Sequence, residues 1–119
     1  MLLVSPAEET PMPPQDIQPD ELDVAICIER IERAFDLNVR HVKRKWAGLR
    51  TFTPDRAPVV GFEPGVDGFF WLAGQGGYGY QTAPALSQTA ACLVLRDPLP
   101  AAVAAAGVSA VDLSVERFR

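Results

Sequence analysis

Histidine and cysteine are scarce in this chain of 119 residues, with one His and two Cys. His41 alone gives a Ser-His-Asp triad or a His-rich metal site almost nothing to build with. Cys27 and Cys92 each sit inside an apolar stretch, "VAICIERI" and "TAACLVLR". Neither has a second thiol or an imidazole at ligand spacing, so both are expected to be buried free thiols and no metal site is expected. Positive charge is also in short supply. Eleven Lys and Arg face 15 Asp and Glu, for a net charge of -4. Phosphates are repelled on average, which argues against a general nucleic-acid or anionic-membrane binder. No apolar run approaches the ~20 residues that span a bilayer. "MLLVS" lacks the basic start of a secretory signal and stops at Ser5-Pro6, so a cytoplasmic setting is expected.

What is present is a chain of one-domain length, 48% hydrophobic and able to build a core. Five of its 11 prolines, Pro6, Pro11, Pro13, Pro14 and Pro19, fall before residue 20. That segment cannot be helical; "MLLVS" reads as a short strand and the rest as an extended connector. A helix is expected over "PDELDVAICIERIERAF", with Pro19 in its first position and Asp20 and Glu21 at its positive end. Val24, Ile28, Ile31 and Phe35 share one stripe, and Glu29, Arg30, Glu32 and Arg33 lie off it in solvent. A strand is expected from about Asn38 to Ala47. The basic cluster Arg40, Lys43, Arg44 and Lys45 on it lacks interleaved aromatics for base stacking, and reads as the guarded edge of an exposed strand.

"TPDRAP", Thr53 to Pro58, is a turn by composition. "VVGF" and "GFFWLAG" read as buried strands joined through "EPGVDG". A second helix fits Ala83 to Arg96, with Pro84 in its first turn and Leu86, Ala90, Leu93 and Val94 on one face. "AAVAAAG" adds a helical turn or two capped by Gly107. "VDLSVERFR" carries no clear signal. The sum is an α+β reading.

The stretch "GQGGYG", from Gly74 to Gly79, spells G-x-G-x-x-G. A dinucleotide-binding unit of that type needs a strand before the glycines and a helix after them. It also needs a second parallel strand ending in an acid ~20 residues on. The first two demands are met. The third fails: Asp97 is near the right distance but follows a helix directly and lies in "RDPLP". The local element keeps its physics. A strand runs into glycines that allow close backbone approach, and the next helix offers unpaired N–H groups to an electron-rich ligand edge.

"WAGLRTFTPDRAPVVGF" followed by "GFFWLAGQGGYGYQTAPAL" resembles the carboxy-terminal part of FAD-dependent amine oxidoreductases. These include D-amino acid oxidases, glycine and sarcosine oxidases, and bacterial D-amino acid dehydrogenases. Within that family "LLVSPA", "QPDELD" and "WAGLR", in this order, are similar to D-arginine dehydrogenase-like enzymes. The resemblance implies FAD as cofactor and a small amino acid or amine as substrate, oxidised by hydride transfer to the flavin. It places a carboxylate-binding arginine in the G-L-R motif, here Arg50 after Gly48 and Leu49. An arginine grips a carboxylate with two parallel hydrogen bonds that a lysine cannot match. It makes Gly48, Gly76, Gly77, Tyr78, Gly79, Tyr80 and Gln81 flavin neighbours, with the Gly77 carbonyl also placed to accept from the substrate amine. Tyr80 departs from the smaller aliphatic residue usual there. No catalytic side chain is assigned.

The family's own ADP-binding G-x-G-x-x-G precedes this region in a longer chain. The expected architecture is therefore the carboxy-terminal fragment of a two-domain FAD-dependent fold lacking its N-terminal Rossmann unit. Residues 1–52 belong to the substrate-domain sheet with one helix, and residues 53–119 to the FAD-binding domain. The partner implied is the missing N-terminal FAD-binding portion, and the chain alone is expected to be inactive. The alternatives are a non-catalytic remnant and a small nucleotide-binding module.

Overall fold

Asp20, not Pro19, starts the first helix. In the computed structural model, which describes residues 2–119, α1 spans Glu21–Ala34. The Asp20 carboxylate accepts from the Leu22 and Asp23 amides at 2.8 and 3.3 Å. A cap that satisfies two of the four orphan N–H groups outcompetes a proline start. The chain divides into an N-terminal unit running to Leu49 and a C-terminal unit, Arg50–Arg119.

In the N-terminal unit α1 is the sole regular element among the described residues. Ile31 alone of the expected stripe is buried; Val24 and Ile28 are half-buried, and Phe35, just past the helix, is exposed. The four charged residues off the stripe are all exposed. Cys27 is a half-buried thiol, less enclosed than its surroundings in the sequence imply. The strand expected over residues 38–47 does not form, nor does one over residues 2–5. Residues 38–47 have the right composition but no ladder partner, and a strand needs a second strand to satisfy its amides. Lys45 pairs instead with Glu21 at the start of α1. An open groove of about 500 Å³ runs between the two segments, lined in part by Val24, Ile28 and Val42.

The C-terminal unit is built on a hairpin. Its strands β1, Val59–Phe62, and β2, Phe70–Ala73, pair antiparallel with Val60 opposite Leu72 and Phe62 opposite Phe70. The link over residues 63–69 closes with the Glu63 amide donating to the Phe69 carbonyl at 2.9 Å. Phe62 and Phe70 meet edge to face at 5.0 Å between ring centres. Trp71 Nε1 donates to Glu63 at 2.7 Å, and this bond, with the Arg119 guanidinium beside it, holds the Glu63 carboxyl below its usual range.

Helix α2, Gly79–Leu95, starts four residues before the expected Ala83. Pro84 accordingly lies inside the helix, not in its first turn. Leu86, Ala90 and Leu93 pack toward Val60, the most deeply buried side chain, while Val94 is exposed. Cys92 is also a half-buried thiol. Arg96 closes α2 in the left-handed region at φ 59°, and the Asp97 amide donates to the Cys92 carbonyl at 2.8 Å. No strand follows among the described residues, so a parallel partner for the glycine unit is not found there.

Helix α3 spans Ala101–Ala105, with Ala106 as its cap and Gly107 at φ 82° one residue beyond. The tail, which carried no signal, forms α4, Ala110–Leu113, and a short 3-10 helix, Val115–Phe118. Ser109 and Asp112 cap α4 reciprocally, which holds the Asp112 carboxyl below its usual range. Leu113 then completes the core with Val60 and Ala90. The mixture of helix and antiparallel strand is α+β.

Candidate functional site

Arg50, Phe52 and Thr53 run beside the glycine turn because the backbones are tied together. The Gly76 amide donates to the Thr51 carbonyl at 3.0 Å, and Phe52 and Gln75 form an isolated antiparallel bridge. The hairpin carries β2 into this turn, and the Tyr78 amide donates to the Gln75 carbonyl at 3.0 Å to close it.

The glycines in the turn serve the chain's own packing. A β-carbon at Gly74 would stand 2.7 Å from Thr53 Cγ2, and one at Gly76 would stand 2.6 Å from the Phe52 ring. Both residues also hold positive φ, 73° and 53°, where a side chain is strained. A β-carbon at Gly77 would lie 2.8 Å from Arg50 Nη1, and one at Gly79 would lie 3.2 Å from Gln75 Cβ. The space that four missing side chains release is thus taken by Thr53, Phe52, Arg50 and Gln75.

What the turn leaves open is backbone at Gly77, which is exposed; the Tyr78 amide and carbonyl are already paired, with the Gln75 carbonyl and with Thr82. Helix α2 begins immediately after, with no side-chain cap and no acidic residue in its first turn. Its leading N–H groups and positive end keep the character expected from the sequence. Gly79, Tyr80 and Gln81 are helical residues of that first turn rather than turn residues, and Tyr80 is fully exposed.

Structure and sequence reading meet at one pair. Arg50 is exposed, and its guanidinium lies against Gly77, so these two residues are together. Gly48 belongs to the N-terminal unit, with open space about its α-carbon. Phe52 and Arg56 join this pair without a motif to mark them. The guanidinium carbon of Arg50 lies 5.2 Å from the centre of the Phe52 ring, and that of Arg56 lies 5.7 Å from it. Phe52 stands two residues after Arg50, on the same side of an extended chain, and that spacing was the available signal.

The loop from Thr53 to Pro58 is held from the far end of the unit. Thr53 Oγ1 donates to the Ala57 carbonyl at 2.6 Å, and the Ala57 amide donates to Asp55 at 3.0 Å. Arg117 donates to both Asp55 oxygens, at 2.7 and 3.2 Å, and to the carbonyls of Ala57 and Pro58 at 2.7 and 3.2 Å. Hydrogen bonding from Arg117 pushes the Asp55 carboxyl far below the ordinary carboxylate range.

No helix among the described residues is long and apolar enough to cross a membrane. Backbone exposed beside a guanidinium, at the start of an uncapped helix, fits a flat, electron-rich cofactor edge together with an acidic substrate. Residues 2–93 match the family model described as FAD dependent oxidoreductase. The match runs through Arg50, the hairpin and the glycine turn, and the chain belongs to that family, whose cofactor is FAD.

Proposed function

We propose that this chain supplies the carboxylate grip and one flavin-facing turn of an enzyme that oxidises an amino acid or related amine. The observation that carries the reading is the Arg50 guanidinium lying against Gly77. A substrate held by its carboxylate at Arg50 is thereby kept beside the one stretch of turn backbone that stays open. Two parallel bonds from the guanidinium fix the direction of the acid group, and with it the position of the adjacent α-carbon. The Gly77 carbonyl is the acceptor for the substrate amine. The exposed backbone of Gly77 and the first N–H groups of α2 are the groups that meet the cofactor, with Gly76, Tyr78, Gly79, Tyr80 and Gln81 as its further neighbours. Bound FAD supplies the hydride acceptor.

The substrate class is a D-amino acid of the kind taken by D-arginine dehydrogenase-like enzymes, on the strength of "LLVSPA", "QPDELD" and "WAGLR". Residues 1–52 contribute to the substrate side and residues 53–119 to the cofactor side. The ADP half of FAD is held by a strand–glycine–helix unit outside these 119 residues. Two observations support that division. The glycine stretch is followed by no parallel strand among the described residues. The hairpin also leaves Phe62 and Leu72 exposed on the face they share with Phe70, an apolar surface suited to further protein.

The test is Arg50→Lys in an enzyme reconstituted with an ADP-binding portion. The amino acid's apparent affinity is expected to fall by about tenfold or more, with the bound-flavin absorbance unchanged. Unchanged affinity would overturn the assignment.

A further inference from the structure

The family match gives Phe52 no task, yet it adjoins both the glycine turn and Arg50. Its backbone bridges to Gln75, its ring fills the space a side chain at Gly76 would need, and the Arg50 guanidinium lies within cation–π reach of it. Arg50 itself is exposed and carries a long, many-rotamer side chain. A forked grip needs that side chain held in one orientation before the substrate arrives. Electrostatic attraction between a guanidinium and an aromatic face acts within about 6 Å of the ring centre, and Arg50 lies inside that limit. The ring is in turn immobilised. Gly76 at φ 53° brings backbone against its edge, and the Gly76 amide is tied to the Thr51 carbonyl. A second cation, Arg56, lies at 5.7 Å from the same ring, so the ring has positive charge gathered around it.

We propose that Phe52 is the positioning residue of Arg50: its ring seats on Gly76 and orients the guanidinium against Gly77, ready for a carboxylate. The inference rests on the reading of Arg50 as the carboxylate grip. The role belongs to the π face rather than to apolar bulk. Phe52→Leu keeps much of the bulk and loses the face, whereas Phe52→Tyr keeps the face.

The experiment follows the Arg50 Nε–Hε signal by NMR in the protein reconstituted with an ADP-binding portion and loaded with FAD. D-arginine is the titrant, and agmatine, which lacks the carboxylate, is the control. In the wild type the signal is expected to respond to D-arginine and not to agmatine. In Phe52→Leu the free-state signal loses its ring-current displacement, and the D-arginine midpoint rises about fivefold. Phe52→Tyr restores both. Should Phe52→Leu fail to fold, Phe52→Met, unbranched and adaptable, takes its place. A wild-type response retained in full by the Leu or Met variant overturns the role of Phe52 alone. A wild-type signal that ignores D-arginine overturns the carboxylate reading, and this inference with it.

Discussion

Arg50 Nη1 occupies the position from which a β-carbon at Gly77 would be 2.8 Å away. Gly77 thus owes its identity to a side chain 27 residues earlier in sequence. Its φ lies outside the left-handed region, so an alanine is tolerated by the backbone itself.

Gly77→Ala should therefore spare the fold and displace the guanidinium. The denaturation midpoint is expected to stay close to wild type, because the atom to be moved ends a flexible side chain. The change in stability should be within about 0.5 kcal/mol. Affinity for an amino acid should fall by about tenfold in a reconstituted enzyme, as a charge-assisted bond is misplaced. A variant that binds normally would separate Gly77 from the grip.

Gly76→Ala should behave differently. Here φ is 53° and the Phe52 ring stands in the way at 2.6 Å. Left-handed backbone alone costs about 1–2 kcal/mol for a side-chain-bearing residue. Gly65, at φ 79° with open space around it, isolates that backbone cost. Urea unfolding should show Gly76→Ala losing clearly more stability than Gly65→Ala. The excess measures the ring contact, and equal losses would show that the ring yields freely.

Val60→Ala tests the core. Val60 is 1% exposed and meets Ala90 and Leu113 from two different helices. Removing two buried methyl groups should cost roughly 1.5–3 kcal/mol. So small a core leaves little else to compensate, and a broadened or lost urea transition is the expected signature.

Acid sensitivity should be traceable to Asp55. Its carboxyl is held far below the ordinary value of 3.8 by hydrogen bonding from Arg117. A carboxyl depressed in the folded state binds fewer protons there than when unfolded. Its stabilisation is complete above the unfolded value and drains away as pH falls below it. Asp55→Asn should be less stable than wild type at pH 7 and should lose less on acidification to pH 3. Midpoints measured at both pH values give the comparison; parallel losses in the two proteins would remove Asp55 from the acid response.

The parts legible in the sequence were those in which local pattern and tertiary need coincide. "VVGF" and "FWLA" are apolar and β-prone and both form strands, but only Val59 and Val60 among their residues are buried, short of the two buried strands expected. The first helix was legible from its stripe, but its start was misplaced because proline tolerance is weaker than the two bonds made by Asp20. Residues 38–47 failed as a strand because β-composition cannot supply the neighbouring backbone that pairing requires. The start of α2 was hidden by glycine and tyrosine, which read as turn. Without a β-carbon at Gly79, the turn's own Gln75 side chain packs there at close range and the helix begins early. The tail holds a reciprocal cap, Ser109 with Asp112, whose S-x-x-D spacing is the one local sign of α4 in the sequence. In the site, Arg50 and Gly77 are expected from the family resemblance alone, and only the structure shows that they lie together. Phe52 has only its place two residues after Arg50 as a sign, and that spacing becomes a contact only if the chain there is extended.

Pro84 has a consequence for how the site moves. Having no amide hydrogen, it gives the carbonyl of Tyr80 no rung, so residues 79–83 form a collar attached to the shaft of α2 by one strut fewer. That collar follows closely on the exposed backbone of Gly77. Deuterium should enter there well before the shaft around Thr89 and Ala90, both buried. On the proposed reading of this turn as flavin-facing, the same looseness would give the entrance of the helix room to settle onto a bound ring.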